Sequence, residues 1–148
     1  MASKPAHNNR NFVIPSTFLG LQEGFAQLNE WLAPSTLTQN TKDRANLIFD
    51  EVVTNIIRYA FDDGEEHPIE IKLQSDSEKL TFCFVDGGRP FDPRTVKPPR
   101  APESLETASI GGRGLLLVNK AAKILDYERT AEGQNRLVVE LSREEQKS

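Results

Sequence analysis

Residues 41–61 read TKDRANLIFDEVVTNIIRYAF, and their period decides the fold. At about 100° per residue, Ala45, Ile48, Phe49, Val52, Ile56 and Ala60 share one arc, the mark of a helix with one buried side. Thr38 or Thr41 can start this helix, and Asp62-Asp63-Gly64 breaks it after about Phe61. Downstream the period changes to alternation. Ile69 to Gln74 and Leu80 to Val85 predict two antiparallel strands joined around Ser75-Asp76-Ser77. Upstream, Asn11 to Pro15 predicts a short strand, and Ser16 or Thr17 can cap a helix bearing Leu21, Phe25, Leu28, Trp31 and Leu32. Pro34 ends that helix. Near the other terminus, Leu115 to Ala122 predicts a helix, and Lys123 to Thr130 with Gln134 to Leu141 a hairpin around Glu132-Gly133. The order β-α-α-β-β-loop-α-β-β predicts an α+β fold, helices layered on a mostly antiparallel sheet.

The chain has 148 residues, 37% hydrophobic and 27% charged, which suits one domain over residues 1–148. Residues 1–11 are expected to form a flexible tail, and Ser142 to Ser148 to fray. The longest strictly apolar run, Leu115 to Val118, is far short of the ~20 residues of a membrane helix. The first residues lack the apolar centre of a signal peptide. A cytoplasmic protein with no membrane partner is the expectation. Eighteen basic against twenty-two acidic side chains give a net charge of −4 with no run of Lys or Arg, which argues against nucleic-acid binding. One cysteine, Cys83, excludes an internal disulfide. His7 and His67 alone leave little material for a Ser-His-Asp triad or a multi-histidine metal site.

Three segments can carry chemistry. Glu51 and Asn55 are four apart, so they stack on one stripe at the border of the buried arc. There the carboxylate can take a proton, and the carboxamide oxygen can help hold a hard cation such as Mg²⁺. An isolated Glu-x-x-x-Asn is more often a pair of solvated flank residues. Next, Val85-Asp86-Gly87-Gly88-Arg89-Pro90-Phe91-Asp92-Pro93 follows a strand. Asp86 at the strand end can meet a ligand's donor, and the glycines let a flat ring come close to the backbone. Asp-Gly is equally a strong turn signal. Last, Gly111-Gly112-Arg113-Gly114 opens a helix and can offer backbone N–H groups to phosphate, although hinge glycines are the commoner case. Residues 86–114 hold five of the nine glycines and five of the nine prolines, a loop of unusual length for a compact domain.

Taken in order, helix Glu-x-x-x-Asn, strand Asp-x-Gly-x-Pro-Phe-Asp-Pro and a long loop ending Gly-x-Gly-Leu resemble the N box and the two glycine boxes of the GHKL ATPase superfamily. The stretch Glu51 to Phe61 is similar to the N box of the bacterial anti-sigma factor serine-protein kinase group. Asp126-Tyr127-Glu128-Arg129, with Gly133 and Asn135 after it, resembles that group's terminal hairpin. The resemblance spans residues 12–142. Two positions depart from the pattern: Tyr59-Ala60-Phe61 stands where many relatives have His-Ala-Tyr, and Pro90 where many have glycine.

The resemblance implies a Bergerat-type ATP-binding fold with ATP and Mg²⁺ as cofactors. It implies that Glu51 is the general base, that Asn55 holds Mg²⁺, and that Asp86 meets the adenine amino group. Gly88 and Pro90 would shape the ring's loop. Residues 92–110 would form an ATP lid, with Gly112 and Gly114 at the phosphates and Arg58 and Arg113 neutralising their charge. The implied activity is an ATP-dependent serine/threonine-protein kinase acting as an anti-sigma regulatory factor in a partner-switching system. Its substrate would be a STAS-type anti-anti-sigma protein, and it would hold a sigma factor or other regulator. A homodimer using the first strand, Phe12, Val13 and Ile14, is also implied. The alternative is a nucleotide-sensing binding module that sequesters its target without kinase activity. A detached histidine-kinase ATPase domain fits less well, because the chain has no phosphoacceptor-histidine helix.

Overall fold

The computed structural model describes residues 8–92 and 122–146. The elements are β1 (Asn8–Pro15), α1 (Phe18–Leu32), α2 (Gln39–Asn55), a π-helical segment (Ile56–Ala60), β2 (Pro68–Ser75), β3 (Lys79–Asp86), β4 (Ala122–Arg129) and β5 (Asn135–Ser142). The five strands form one sheet in the order β1-β2-β3-β5-β4. Every neighbouring pair is antiparallel. The expected α+β layering is therefore present.

Local chemistry accounts for the helix starts. The Thr17 side chain accepts from the Gly20 amide at 2.9 Å, and Thr38 accepts from Thr41 at 3.1 Å, each satisfying a donor that a helix start leaves open. Helix α1 stops at Leu32, two residues before Pro34, as the proline requires. Alternation along β2 sends Ile69, Ile71 and Leu73 to the helix side and leaves Glu70, Lys72 and Gln74 exposed. The core between helices and sheet centres on Phe49, Phe82 and Phe84, all at most 1% exposed. Gly24 lets α1 approach α2 closely: a Cβ there would lie 2.4 Å from the Phe49 ring.

Four expectations need correction. Residues 8–11 belong to β1, in register with β2 from Asn8 opposite Ser75, so the tail cannot extend to residue 11. The second helix is not α-helical to Phe61. It passes into the π segment at Ile56, and Phe61 is extended. Ala122, expected at a helix end, opens β4, and the rest of that predicted helix lies outside the described residues. The charged C-terminal stretch is tied down through Gln146. The Thr38 amide donates to Glu144 O at 2.8 Å and the Gln146 amide to Thr36 O at 2.8 Å. Arg143 Nη1 donates to Ser75 Oγ and Asp76 O, both at 2.7 Å. Charge alone reads as solvated, but here backbone groups of the α1–α2 connection and the β2–β3 turn take up the segment's hydrogen bonds.

Candidate functional site

The row Leu80, Phe82, Phe84 on β3 faces the core, and Asp86 is next in that row. A carboxylate thus occupies an apolar register position and is only 5% exposed. Its strand partner Asn135 is likewise inward, in phase with Leu137, Val139 and Leu141 on β5. Arg129 of β4 lies opposite Asn135. Asp86, Asn135 and Arg129 therefore form a polar row across three strands at the end of an otherwise apolar face.

That row closes one end of a cavity enclosing about 50 Å³. Val52 and Ile56 line it from the helix layer, Phe84 and Leu137 from the sheet. Asn55 contributes a carboxamide to the lining, and among the described residues its side chain makes no hydrogen bond. Tyr59, Arg89, Phe91 and Tyr127 complete the wall. Glu51, one helical turn before Asn55, is buried like it at 9% exposure. The solvated-flank alternative for this pair does not hold.

The hydrogen bonds around Asp86 are directional. Its Oδ1 accepts from the Gly88 amide at 2.8 Å and from Asn135 Nδ2 at 3.1 Å. Burial pushes the carboxyl above the usual aspartate range; the Gly88 and Asn135 hydrogen bonds and the Arg129 charge act in the other direction. Arg129 Nη1 donates to Gly88 O at 2.6 Å, and Asn135 Nδ2 to Arg89 O at 2.9 Å. Tyr127 Oη donates to Asn135 Oδ1 and accepts from the Phe91 amide at 3.2 Å. The loop after β3 is thus held from the β4–β5 hairpin.

It is also held from the helix side. The Arg89 amide donates to Ala60 O at 2.9 Å, at the end of the π segment. A Cβ on Gly88 would lie 2.4 Å from the Ala60 Cβ and 2.5 Å from Ala60 O. The room that Gly88 leaves is filled by Ala60, so this glycine serves the contact between loop and helix end. Single π turns inside helices recur at functional sites, and this one carries Tyr59 into the cavity lining.

Of the sequence candidates, Asn55 and Asp86 line this cavity, Gly88 packs against Ala60 beside it, and Glu51 is buried one turn before Asn55 without being among the lining residues. Arg58 and Pro90 are exposed and do not line the cavity. Gly112, Arg113, Gly114 and residues 93–110 of the expected lid lie outside the described residues. Sequence reasoning gave no role to Tyr127, Arg129 or Asn135. Asn135 could have been found from its phase with Leu137 and Val139. Tyr127 and Arg129 stand in the hairpin motif quoted above, but that they face the core is decided by a register shift between Ile124 and Asp126.

As a ligand site the lining combines flat apolar walls, a buried acceptor at the end of the row, and a carboxamide oxygen suited to a hard cation. An aromatic heterocycle with an exocyclic amino group fits the first two, and Mg²⁺ beside its phosphates fits the third. Among the described residues no cluster of three or more His, Cys, Asp or Glu could hold a metal ion by itself. A cation held through Asn55 would need further ligands from a bound molecule.

A family model described as the histidine kinase-like ATPase domain matches residues 21–141. The chain is 31% identical over 93 residues to the serine/threonine-protein kinase BtrW of Bordetella bronchiseptica. That stretch covers 63% of this chain and 65% of BtrW, just under two thirds of the relative's length. Among solved structures, the RsbU and RsbW domains of Rv1364c from Mycobacterium tuberculosis match with a TM-score of 0.58 at 14% identity. The match covers 95% of this chain and 34% of that one, and at this identity it is a likeness of fold.

Proposed function

The chain belongs to the histidine kinase-like ATPase domain family, and from that premise we propose that it is an ATP- and Mg²⁺-dependent serine/threonine-protein kinase of the anti-sigma type. Its substrate in this proposal is a serine on a STAS-type antagonist, its second partner a sigma factor or other regulator, and its working form a homodimer in the cytoplasm. The observation that carries nucleotide binding is Asp86, a buried carboxylate in a core-facing row that lines an apolar cavity. With Oδ1 taken by Gly88 and Asn135, its Oδ2 is left to accept from the adenine amino group.

ATP supplies the transferable phosphoryl group, and Mg²⁺ offsets its charge. Asn55 gives the metal a protein oxygen. Glu51 takes the serine proton as the new Oγ–P bond forms and the bond to the β-phosphate oxygen breaks. Val52, Ile56, Phe84 and Leu137 keep water from the ring. Gly112, Gly114 and Arg113 would meet the phosphates, and Arg58 would contribute from the surface. The resemblance of the N box and the kinase relative BtrW support the transfer step.

Calorimetry tests the binding step. Wild type should bind Mg-ATP or Mg-ADP, and Asp86→Ala should lose roughly tenfold or more in affinity, the effect of removing a charged hydrogen-bond partner. Equal affinity in the two proteins would remove Asp86 from the adenine site. Transfer of labelled γ-phosphate to a cognate STAS-type antagonist tests the activity. Glu51→Gln should slow transfer about 10²- to 10⁴-fold with nucleotide affinity nearly intact. Asn55→Ala should lower both. Nucleotide binding without transfer by wild type would leave the sequestering module in place of the kinase.

A further inference from the structure

The β4–β5 hairpin contributes three polar side chains to the inner face, and each is tied to the loop that follows Asp86. We propose that Asn135, fixed by Tyr127 and Arg129, is a positioning residue that orients the Asp86 carboxylate and the Gly88–Phe91 backbone for the purine, so that this hairpin sets nucleotide affinity. The inference rests on the nucleotide site proposed above.

The chemistry of the neighbours fixes the amide's orientation. Asn135 Oδ1 faces two donors, Tyr127 Oη and Arg129 Nη1, the latter at 3.3 Å. Asn135 Nδ2 faces three acceptors, Asp86 Oδ1 at 3.1 Å, Arg89 O at 2.9 Å and, at the limit of hydrogen-bond distance, Gly88 O at 3.5 Å. A flipped amide would set its NH₂ against the guanidinium and its oxygen against the carboxylate. Arginine has no acceptor and an ionised carboxylate no donor, so only one orientation satisfies these contacts. Both hydrogens of the amide are used, one on the residue that reads the ring and one on the backbone beside it.

The hairpin is built to deliver these groups. Strict alternation from Ile124 would turn residues 127 and 129 away from the core. The register shift between Ile124 and Asp126 instead sets Tyr127 opposite Leu137 and Arg129 opposite Asn135, both on the inner face. Irregularities of this kind re-aim side chains beside active sites. Arg129 then reaches Gly88 O at 2.6 Å and Tyr127 Oη takes the Phe91 amide at 3.2 Å, so with Asn135 on Arg89 O three contacts pin the loop. The charged and titratable groups facing Asp86 among the described residues are Arg129 and Tyr127 from β4, Arg89 from the loop and Tyr59 from the π segment. No second carboxylate lines the cavity there. Asn135 gives Asp86 an uncharged side-chain donor.

Asn135→Asp and Asn135→Ala separate positioning from packing. The introduced carboxyl is nearly the same shape as the amide. When protonated it can still donate to Asp86; when ionised it cannot, and it repels Asp86. Two carboxyls this close titrate as a pair whose upper step is raised by their mutual repulsion. Mg-ADP affinity, measured by calorimetry from pH 5 to 9, should therefore be near wild type at the acid end in Asn135→Asp. It should fall relative to wild type by roughly tenfold or more as the pH rises, the effect of losing a hydrogen bond to a charged group. Asn135→Ala should be weaker by a similar factor at every pH. Tyr127→Phe, which keeps the ring, should weaken binding several-fold and covers the case of an Asn135→Ala variant that does not fold. An Asn135→Asp to wild-type affinity ratio that is constant across pH would overturn the positioning role, as would wild-type affinity in folded Asn135→Ala. Wild-type protein that binds neither ATP nor ADP would instead overturn the nucleotide site itself, and this inference with it.

Discussion

Asp86 sits where Leu80, Phe82 and Phe84 of the same row place apolar groups, and burial raises its carboxyl above the ordinary aspartate range. An acid whose folded pKa exceeds its unfolded one binds its proton better when folded. Its contribution to stability is complete below the unfolded pKa and is lost as the pH rises through the folded pKa. At neutral pH the site thus holds a carboxylate at some expense to the fold, as functional positions often do. Asp86→Asn keeps an oxygen to accept from Gly88 and Asn135 and removes the charge. Its Tm should exceed wild type by a few degrees near pH 7 while nucleotide affinity falls. The difference in Tm should close as the pH drops below about 4, the ordinary aspartate value. Thermal melts of both proteins from pH 3 to 8 measure it. A variant less stable than wild type throughout would show that the ionised carboxylate, with its two hydrogen bonds, stabilises the fold.

At the scale of elements, the site is assembled by two departures from regular structure. The π segment Ile56–Ala60 brings Ala60 O to the Arg89 amide, and Gly88 fits against it without a side chain. Gly88→Ala would drive a Cβ into Ala60, whose backbone carbonyl has little room to yield. The variant should lose about 1–3 kcal/mol of stability by overpacking, together with nucleotide binding, readable in urea melts and calorimetry. Wild-type stability in Gly88→Ala would mean that the loop can lift from the helix end. Neither departure was legible beforehand. The arc from Ala45 to Ala60 gives the helix and its buried side, but a π turn leaves that apolar pattern almost unchanged. The β4 irregularity reverses alternation halfway along a strand. Asn55 and Asp86 were legible as lining residues because motif order marks them, whereas the inward facing of Tyr127 and Arg129 depends on a register that only the pairing with β5 reveals.

For the whole molecule, period alone carried the layering: alternation over Ile69–Gln74 and Leu80–Val85, then a helical arc over residues 45–60, require a one-faced sheet under helices. The C-terminal stretch was misread because its partners, Thr36, Thr38 and Asp76, are distant in sequence. The sheet order leaves β1 and β4 as edges. Strand β4 carries Lys123, Asp126 and Glu128 on its outward positions, charges that discourage pairing. Strand β1 has only Arg10 among its charged side chains, and that is bound to Glu30 at 2.6 Å. Among the described residues its outer edge has no partner strand. Val13 on this strand is 60% exposed, and Phe18 and Leu19 at the start of α1 are 76% and 63% exposed. Two β1 edges can pair antiparallel about a two-fold axis, the commonest symmetry of soluble oligomers. Sedimentation of the free protein at micromolar concentration should then give a dimer. Val13→Lys sets a charge on each side of the two-fold axis and should shift it to monomer, with nucleotide affinity per chain unchanged. A wild-type protein that sediments only as monomer would rule out the β1 dimer, and a dimer unaffected by Val13→Lys would move the interface elsewhere.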